Sequence, residues 1–213
     1  GRDKCAPVQP EDFMDITIRM NDTGWRVKKG QKLRLALSTN MWPMAWPMAK
    51  DFLITIDKTA SNFQIPIRNS KNTVSFKNSS LKIKNKILTQ INHQVKKEPS
   101  ANRYISKDPG SNEIHYHVSH DGGKVNFLDK KLDFQAKNSQ DYYIKDGNSL
   151  SAKIKYKAEF FLQRNDWLVQ SKSFLTVKCD EKYFYLKGNI KTYEGKHLFI
   201  EKKWNTRIKR DIY

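Results

Sequence analysis

Apolar residues recur along this chain at every second position far more often than at helical spacing. Phe13 to Met20 alternates, with Met14, Ile16, Ile18 and Met20 on one side, and Leu33, Leu35 and Leu37 alternate with Arg34 and Ala36. Side chains of an extended strand point to opposite faces in turn, so both segments predict half-buried strands. Turn residues follow at Asn21-Asp22-Thr23-Gly24 and at Lys28-Lys29-Gly30. Phe52 to Ile56 and Phe63 to Ile67 are shorter apolar runs of the same kind. Pro66 has no N–H to give to a ladder, which places the second run at a sheet edge.

The C-terminal half carries the clearest alternation. Glu113 to Ser119 and Lys124 to Leu128 flank His120-Asp121-Gly122-Gly123, which predicts a hairpin turn. Further on, Ala152, Ile154, Tyr156, Ala158 and Phe160 face one way, while Lys153, Lys155, Lys157 and Glu159 face the other. Asn165-Asp166 turns the chain, and Trp167, Val169, Leu175, Val177 and Cys179 mark the inward side of the next strand. Phe184, Leu186 and Ile190 mark the one after; Tyr193-Glu194-Gly195-Lys196 closes another hairpin, and His197 to Trp204 runs back. Long antiparallel strands joined by tight turns exclude a βαβ unit, and no segment keeps helical spacing for three clean turns. The fold class is all-β, and a two-sheet β-sandwich suits the number and length of the strands.

Residues 69–110 differ. Ser, Asn and Lys dominate, Pro99 and Asp108-Pro109-Gly110 come near the end, and Leu81, Ile83, Ile87, Leu88 and Ile91 suit a strand or a short helix equally. This stretch predicts a long polar connection draped over the body. The domain reading is one β-sandwich region over 1–213, with a first patterned segment at 16–68 and an antiparallel meander at 111–213.

At 213 residues the chain is long enough to bury a core, and 12% aromatic content argues against wholesale disorder. The formal charge of +18 invites a nucleic-acid reading, but it comes from 31 Lys and only 9 Arg. Phosphate and base recognition leans on the bidentate Arg fork, whereas Lys is a hydrated point charge. The lysines are spread along the chain, often on alternate positions (Lys82, Lys84, Lys86; Lys153, Lys155, Lys157), which sets them on one solvent face. With 16 Asn beside them, this is the composition an AT-rich coding sequence produces without a ligand, so the reading is a solvated basic surface and no nucleic-acid partner. The longest apolar stretch, Met41 to Ala49, is too short to span a bilayer and holds two prolines, so no membrane partner is expected. Cys5 and Cys179 form no CxxC pair, which excludes a disulfide scaffold or a four-ligand zinc site and favours a reducing, cytoplasmic setting. The chain opens on Gly1 with no charged-then-apolar leader, as expected of an excised piece of something longer.

Catalytic constellations are missing from the pattern. There is no G-x-S-x-G elbow, no Gly-rich phosphate loop and no HExxH; Gly122-Gly123 belongs to the expected hairpin. His115-x-His117-x-x-His120 resembles a ligand spacing, since His115 and His117 share a strand face. No acidic or thiol ligand stands at a matching spacing on a neighbouring strand, so the histidines read as a surface ladder, with neither metal nor cofactor. Cys179, ending an apolar strand face, reads as a buried inert thiol. Most unusual is Met41-Trp42-Pro43-Met44-Ala45-Trp46-Pro47-Met48, where each Trp precedes a Pro and is pushed toward extended geometry. Three readings stay open: a plug for one end of the core, a contact with another domain through Trp42, Met44 and Trp46, or a platform for a sugar ring as in a carbohydrate-binding module.

Two stretches bear a resemblance. Asn21 to Val27, Gly30 to Thr39 and Trp42 to Pro47 resemble the C-terminal non-catalytic domain of the CocE/NonD hydrolases, the group of X-Pro dipeptidyl-peptidases and cocaine esterase. Leu150-Ser151-Ala152, Asp166-Trp167, Thr176 to Asp180, Tyr193-Glu194-Gly195, Trp204 and Ile208 to Ile212 are similar to the closing strands of the same domain. The resemblance runs over 16–68 and 142–213. It implies a galactose-binding-like jelly roll, here without its first strands, that packs on an α/β-hydrolase catalytic domain and a helical cap and helps shape the substrate cleft. No Ser-Asp-His triad residue of that catalytic domain maps onto this chain, so no catalytic residue is expected and the chain alone is expected to be inactive.

Overall fold

The computed structural model of the chain describes residues 12–50, 52–68 and 92–210. Cys5, the Leu81–Ile91 pattern with its neighbouring lysines, and Asp211-Ile212 lie outside them. The described residues hold no α-helix and form one antiparallel sheet of eight strands, an all-β arrangement consistent with a β-sandwich domain. In chain order the strands are β1 His93–Lys97, β2 Ser100–Lys107, β3 Glu113–Phe127, β4 Leu132–Lys145, β5 Asn148–Arg164, β6 Trp167–Cys179, β7 Tyr183–Glu194 and β8 His197–Lys209. From β3 to β8 each strand pairs with its successor, while β1 and β2 share the outer edge of β3.

The hairpin turns sit where the sequence supplies left-handed backbone. Asp146-Gly147 joins β4 to β5 with Gly147 at φ 70, Asn165 turns at φ 51 before β6, and Gly195 turns at φ 58 before β8. Registers between these turns run nearly unbroken, so strand parity is shared across the sheet. Tyr116 stands against Tyr142, Tyr142 against Ile154, Ile154 against Val177, Val177 against Leu186, and Leu186 against Thr206. The face these residues mark also carries Ala152, Ala158, Leu175, Cys179 and Phe184, in agreement with the inward positions read from the alternation. The opposite face carries Lys153, Lys155, Lys157, Lys172, Lys187 and Lys191, the solvent side that the alternate lysines predicted. Trp204 lies over Gly188, where a side chain would meet the Trp204 ring and the Phe174 carbonyl.

Three expectations change. His120-Asp121-Gly122-Gly123 is not a hairpin: β3 runs straight through it, with a register slip between Asp121 and Lys124. The two halves of β3 take different partners, Asp121 opposite Ser100 of β2 and Lys124 opposite Lys97 of β1. The glycine pair is therefore a bulge opposite the Glu98-Pro99 corner, where a proline needs no ladder N–H. Residues 93–107, expected to belong to an exposed connection, form the edge strands β1 and β2. Conversely, 13–20, 33–37, 52–56 and 63–67 make no ladder among the described residues, and Phe13 is 87% exposed. Alternation supplies a strand with a face, but only a partner edge turns that face into a sheet.

Carboxylates anchor the β1–β3–β4 corner. Asp133 accepts from Lys96, Lys124 and Asn126, and Asp121 accepts from Lys97, Gln135 and the Gly123 N–H. The Lys96 hydrogen bond leads in holding Asp133 at about 2, and the Lys97 bond leads in holding Asp121 at about 2. Both values lie below those of an unfolded chain, so the stabilisation is present above pH ~4 and is lost as pH falls toward ~2. Denaturant midpoints should drop across that window, and Asp133→Asn should cost stability at pH 7 while flattening the acid loss; equal acid sensitivity in both proteins would exclude this carboxylate as its source. A Cβ on Gly123 (φ 76) would lie 2.3 Å from the Lys97 carbonyl oxygen and 2.9 Å from the Pro99 nitrogen. Gly123→Ala should therefore destabilise the chain by about 2–4 kcal/mol in urea unfolding.

Candidate functional site

The Met41–Met48 segment folds back as a compact turn onto the apolar face. Asn40 accepts the Trp42 N–H through its side-chain oxygen, and the N–H groups of Met44 and Ala45 donate to the Met41 carbonyl at 2.7 and 3.1 Å. The Trp42-Pro43 peptide is cis. Both indoles lie against the sheet. Trp42 and Trp46 meet edge to face at 5.0 Å between ring centres, Trp42 abuts Tyr142 at 5.9 Å, and Trp46 abuts Phe184 at 5.3 Å. Such edge-to-face pairs add about 0.5–1.5 kcal/mol each beyond their buried area.

Two polar contacts from the last strands clamp the turn. The Trp46 Nε1–H donates to the Cys179 Sγ at 3.1 Å, and that thiol lies 3.7 Å from the Leu150 carbonyl. Arg210 donates from Nη2 to the Pro47 carbonyl at 2.7 Å and from Nη1 to the Asp180 carbonyl at 3.0 Å, with its guanidinium over the Phe184 ring. Arg210 is among the few buried charged residues described, and it ties the turn to the C-terminal end of the sheet. Sequence reading placed Cys179 on the inward side but not Arg210, whose tie to Pro47 spans 163 positions.

Of the three residues expected to meet another domain, Trp42 and Trp46 lie on this chain's own sheet, while Met44 projects outward at 80% exposed. The turn covers one end of the apolar face. At the other end Phe160 is 50% exposed and Ile200 42%, Trp204 stands midway along β8 at 50%, and Ile208 is open beside Phe184 at the turn's own end.

A separate cluster occupies the lysine-bearing face. His115 and His117 on β3 point their Nε2 and Nδ1 at one oxygen, Oδ1 of Asp141 on β4, at 2.8 and 2.7 Å. Tyr143 stacks on His115 at 4.4 Å, and Tyr104 from β2 stacks on His117 at 4.8 Å. Burial works to raise the Asp141 carboxyl, but the hydrogen bonds from His117 and His115 outweigh it and hold the group below its ordinary range. His120, grouped with these histidines by spacing, has the opposite parity on β3 and faces the other side of the sheet. The acidic neighbour that spacing did not reveal is Asp141, directly across from His117. Counting the antiparallel register back from β4 would have found it.

Residues 2–100, just under half of the chain, match the family model of the X-Pro dipeptidyl-peptidase C-terminal non-catalytic domain. The resemblance read from Asn21 through Pro47 agrees with this match, and the tryptophan turn lies within the matched residues. A family of non-catalytic C-terminal domains implies a parent protein with a catalytic domain. The second resembling stretch, 142–213, lies outside the matched residues. No curated protein and no solved structure matches the chain.

Trp46→Ala removes two aromatic contacts and the partner of Cys179, and should lower stability by about 2–4 kcal/mol. Met44→Ser, at an exposed position, should stay within about 0.5 kcal/mol of the parent. Urea unfolding followed by far-ultraviolet circular dichroism separates them, and equal effects would contradict the packing described.

Proposed function

We propose that this chain is the non-catalytic C-terminal β-sandwich of a serine hydrolase of the CocE/NonD type, in which it packs against the α/β-hydrolase and cap domains and helps shape the substrate cleft. The match of residues 2–100 to the family of such domains carries the reading. Two further features support it. The apolar face of the sheet is covered by the tryptophan turn at one end and open around Trp204 midway along β8 and around Phe160 and Ile200 at the other end. Large apolar side chains left on such a face favour contact with another domain. Met44, standing out from the anchored turn, adds an apolar contact on the same side. In this reading Trp42 and Trp46 act as the rigid base of the contact and Met44 as its outward tip. A reducing, cytoplasmic setting is part of this reading, and the free thiol of Cys179 is in keeping with it.

The isolated chain should show no turnover of an activated ester above a heat-killed control and no labelling by a fluorophosphonate probe. Co-expressed with an α/β-hydrolase and cap pair of the CocE/NonD type, it should co-purify with them and lose hydrogen exchange in β8 around Trp204. A labelled serine in the chain itself, or unchanged exchange in β8, contradicts the proposal.

A further inference from the structure

We propose that His115, His117 and Asp141 form a binding site for a divalent transition-metal ion, with zinc as the favoured occupant. Their ligand atoms all lie within 4.8 Å of one another, and they are the one such group found among the described residues. The proposal rests on this cluster alone and does not depend on the reading of the chain as a hydrolase domain.

Two neutral imidazoles and one ionised carboxylate are a donor set suited to zinc, which accepts nitrogen at about 2.0–2.1 Å and carboxylate oxygen at about 2.0–2.2 Å in tetrahedral geometry. Such bond lengths place neighbouring ligand atoms roughly 3.3 Å apart. The present spacings of 2.8 and 2.7 Å to the shared Oδ1 belong to hydrogen bonds. An ion seated between the three groups replaces those bonds after the ligands open by about half an ångström, and the ring protons move to the outer nitrogens.

The backbone positions the ligands rigidly. His115 and His117 are two residues apart on β3 and so share a face, and Asp141 stands directly across from His117 on β4. Side-chain exposures of 22%, 16% and 17% leave the cluster shielded yet reachable. The stacked rings of Tyr143 and Tyr104 fix the planes of the imidazoles, the orienting role that outer groups perform around metal-bound histidines. Three protein ligands leave a fourth position for water or a small anion. Lys153 and Lys155, whose ammonium groups lie over the Tyr143 ring at 4.2 and 5.3 Å, oppose a second positive charge, and Glu113, 3.9 Å from Lys153, partly offsets them. The ion so held ties β3 to β4 and, through the ring stack, to the edge strand β2.

The test is calorimetric titration of the full chain, freed of metal by chelator, with zinc chloride at neutral pH. One ion per chain is expected, with His115→Gln, His117→Gln and Asp141→Asn each weakening binding at least tenfold and His120→Gln leaving it unchanged. Circular dichroism on each variant reports whether the sheet is intact. Cobalt on the unaltered chain supplies a second readout that needs no substitution, an intense visible ligand-field spectrum without a thiolate band. Absence of saturable binding, binding indifferent to His117→Gln and Asp141→Asn in folded variants, loss of binding with His120→Gln, or a thiolate-to-cobalt band would each overturn the site.

Discussion

Antiparallel pairing with a common parity is the constraint on which the rest of this structure depends. Strands β4 to β8 are 12 to 17 residues long and meet in nearly unbroken register, so a side chain's face is decided once and transmitted across the sheet. A one-residue slip anywhere would exchange apolar and lysine positions along a whole strand. The slip at Gly122-Gly123 lies where β3 changes partner from β2 to β1 and Pro99 turns the corner; the others fall in the edge strand β1 or near strand ends, at Tyr143–Lys145 and Thr192–Tyr193. Beyond the bulge the parity of β3 is exchanged, and this is what turns Lys124 and Asn126 to the face that carries Asp133.

Sorting by parity gives the sheet two unlike faces. On the apolar side, small residues such as Ala152 and Ala158 are buried, yet no large side chain is fully buried among the described residues. A single layer removes water from one side of a residue only where something lies on top, and here that covering is the Trp42–Pro47 turn at one end. Its hold is a combination of edge-to-face rings, one indole-to-thiol hydrogen bond and the Arg210 fork, each engaging a different strand end. On the other side stand the described lysines, several of them engaged with rings and carboxylates, as Lys153 is with Tyr143 and Glu113 and Lys124 with Asp133. Among the described residues of that face the half-shielded His115–His117–Asp141 cluster stands out by its low exposure and its shared oxygen.

The alternation from Ala152 to Ile190 specified the strands and their inward residues, because period-two patterning and the Asn165-Asp166 corner act over a few residues and need no distant partner. The family resemblance was carried by the residues around the tryptophan turn, a local string that the family match includes. Only the tertiary structure decided which alternating segments find an edge: 93–107 does and 13–20 does not, since a ladder needs the hydrogen-bonding groups of another strand. It also decided that the glycine pair bulges, that Arg210 reaches Pro47, and that Asp141 rather than His120 completes the histidine pair. Those outcomes rest on register and long-range closure, where residues far apart in sequence share one place in space, and no local pattern encodes them.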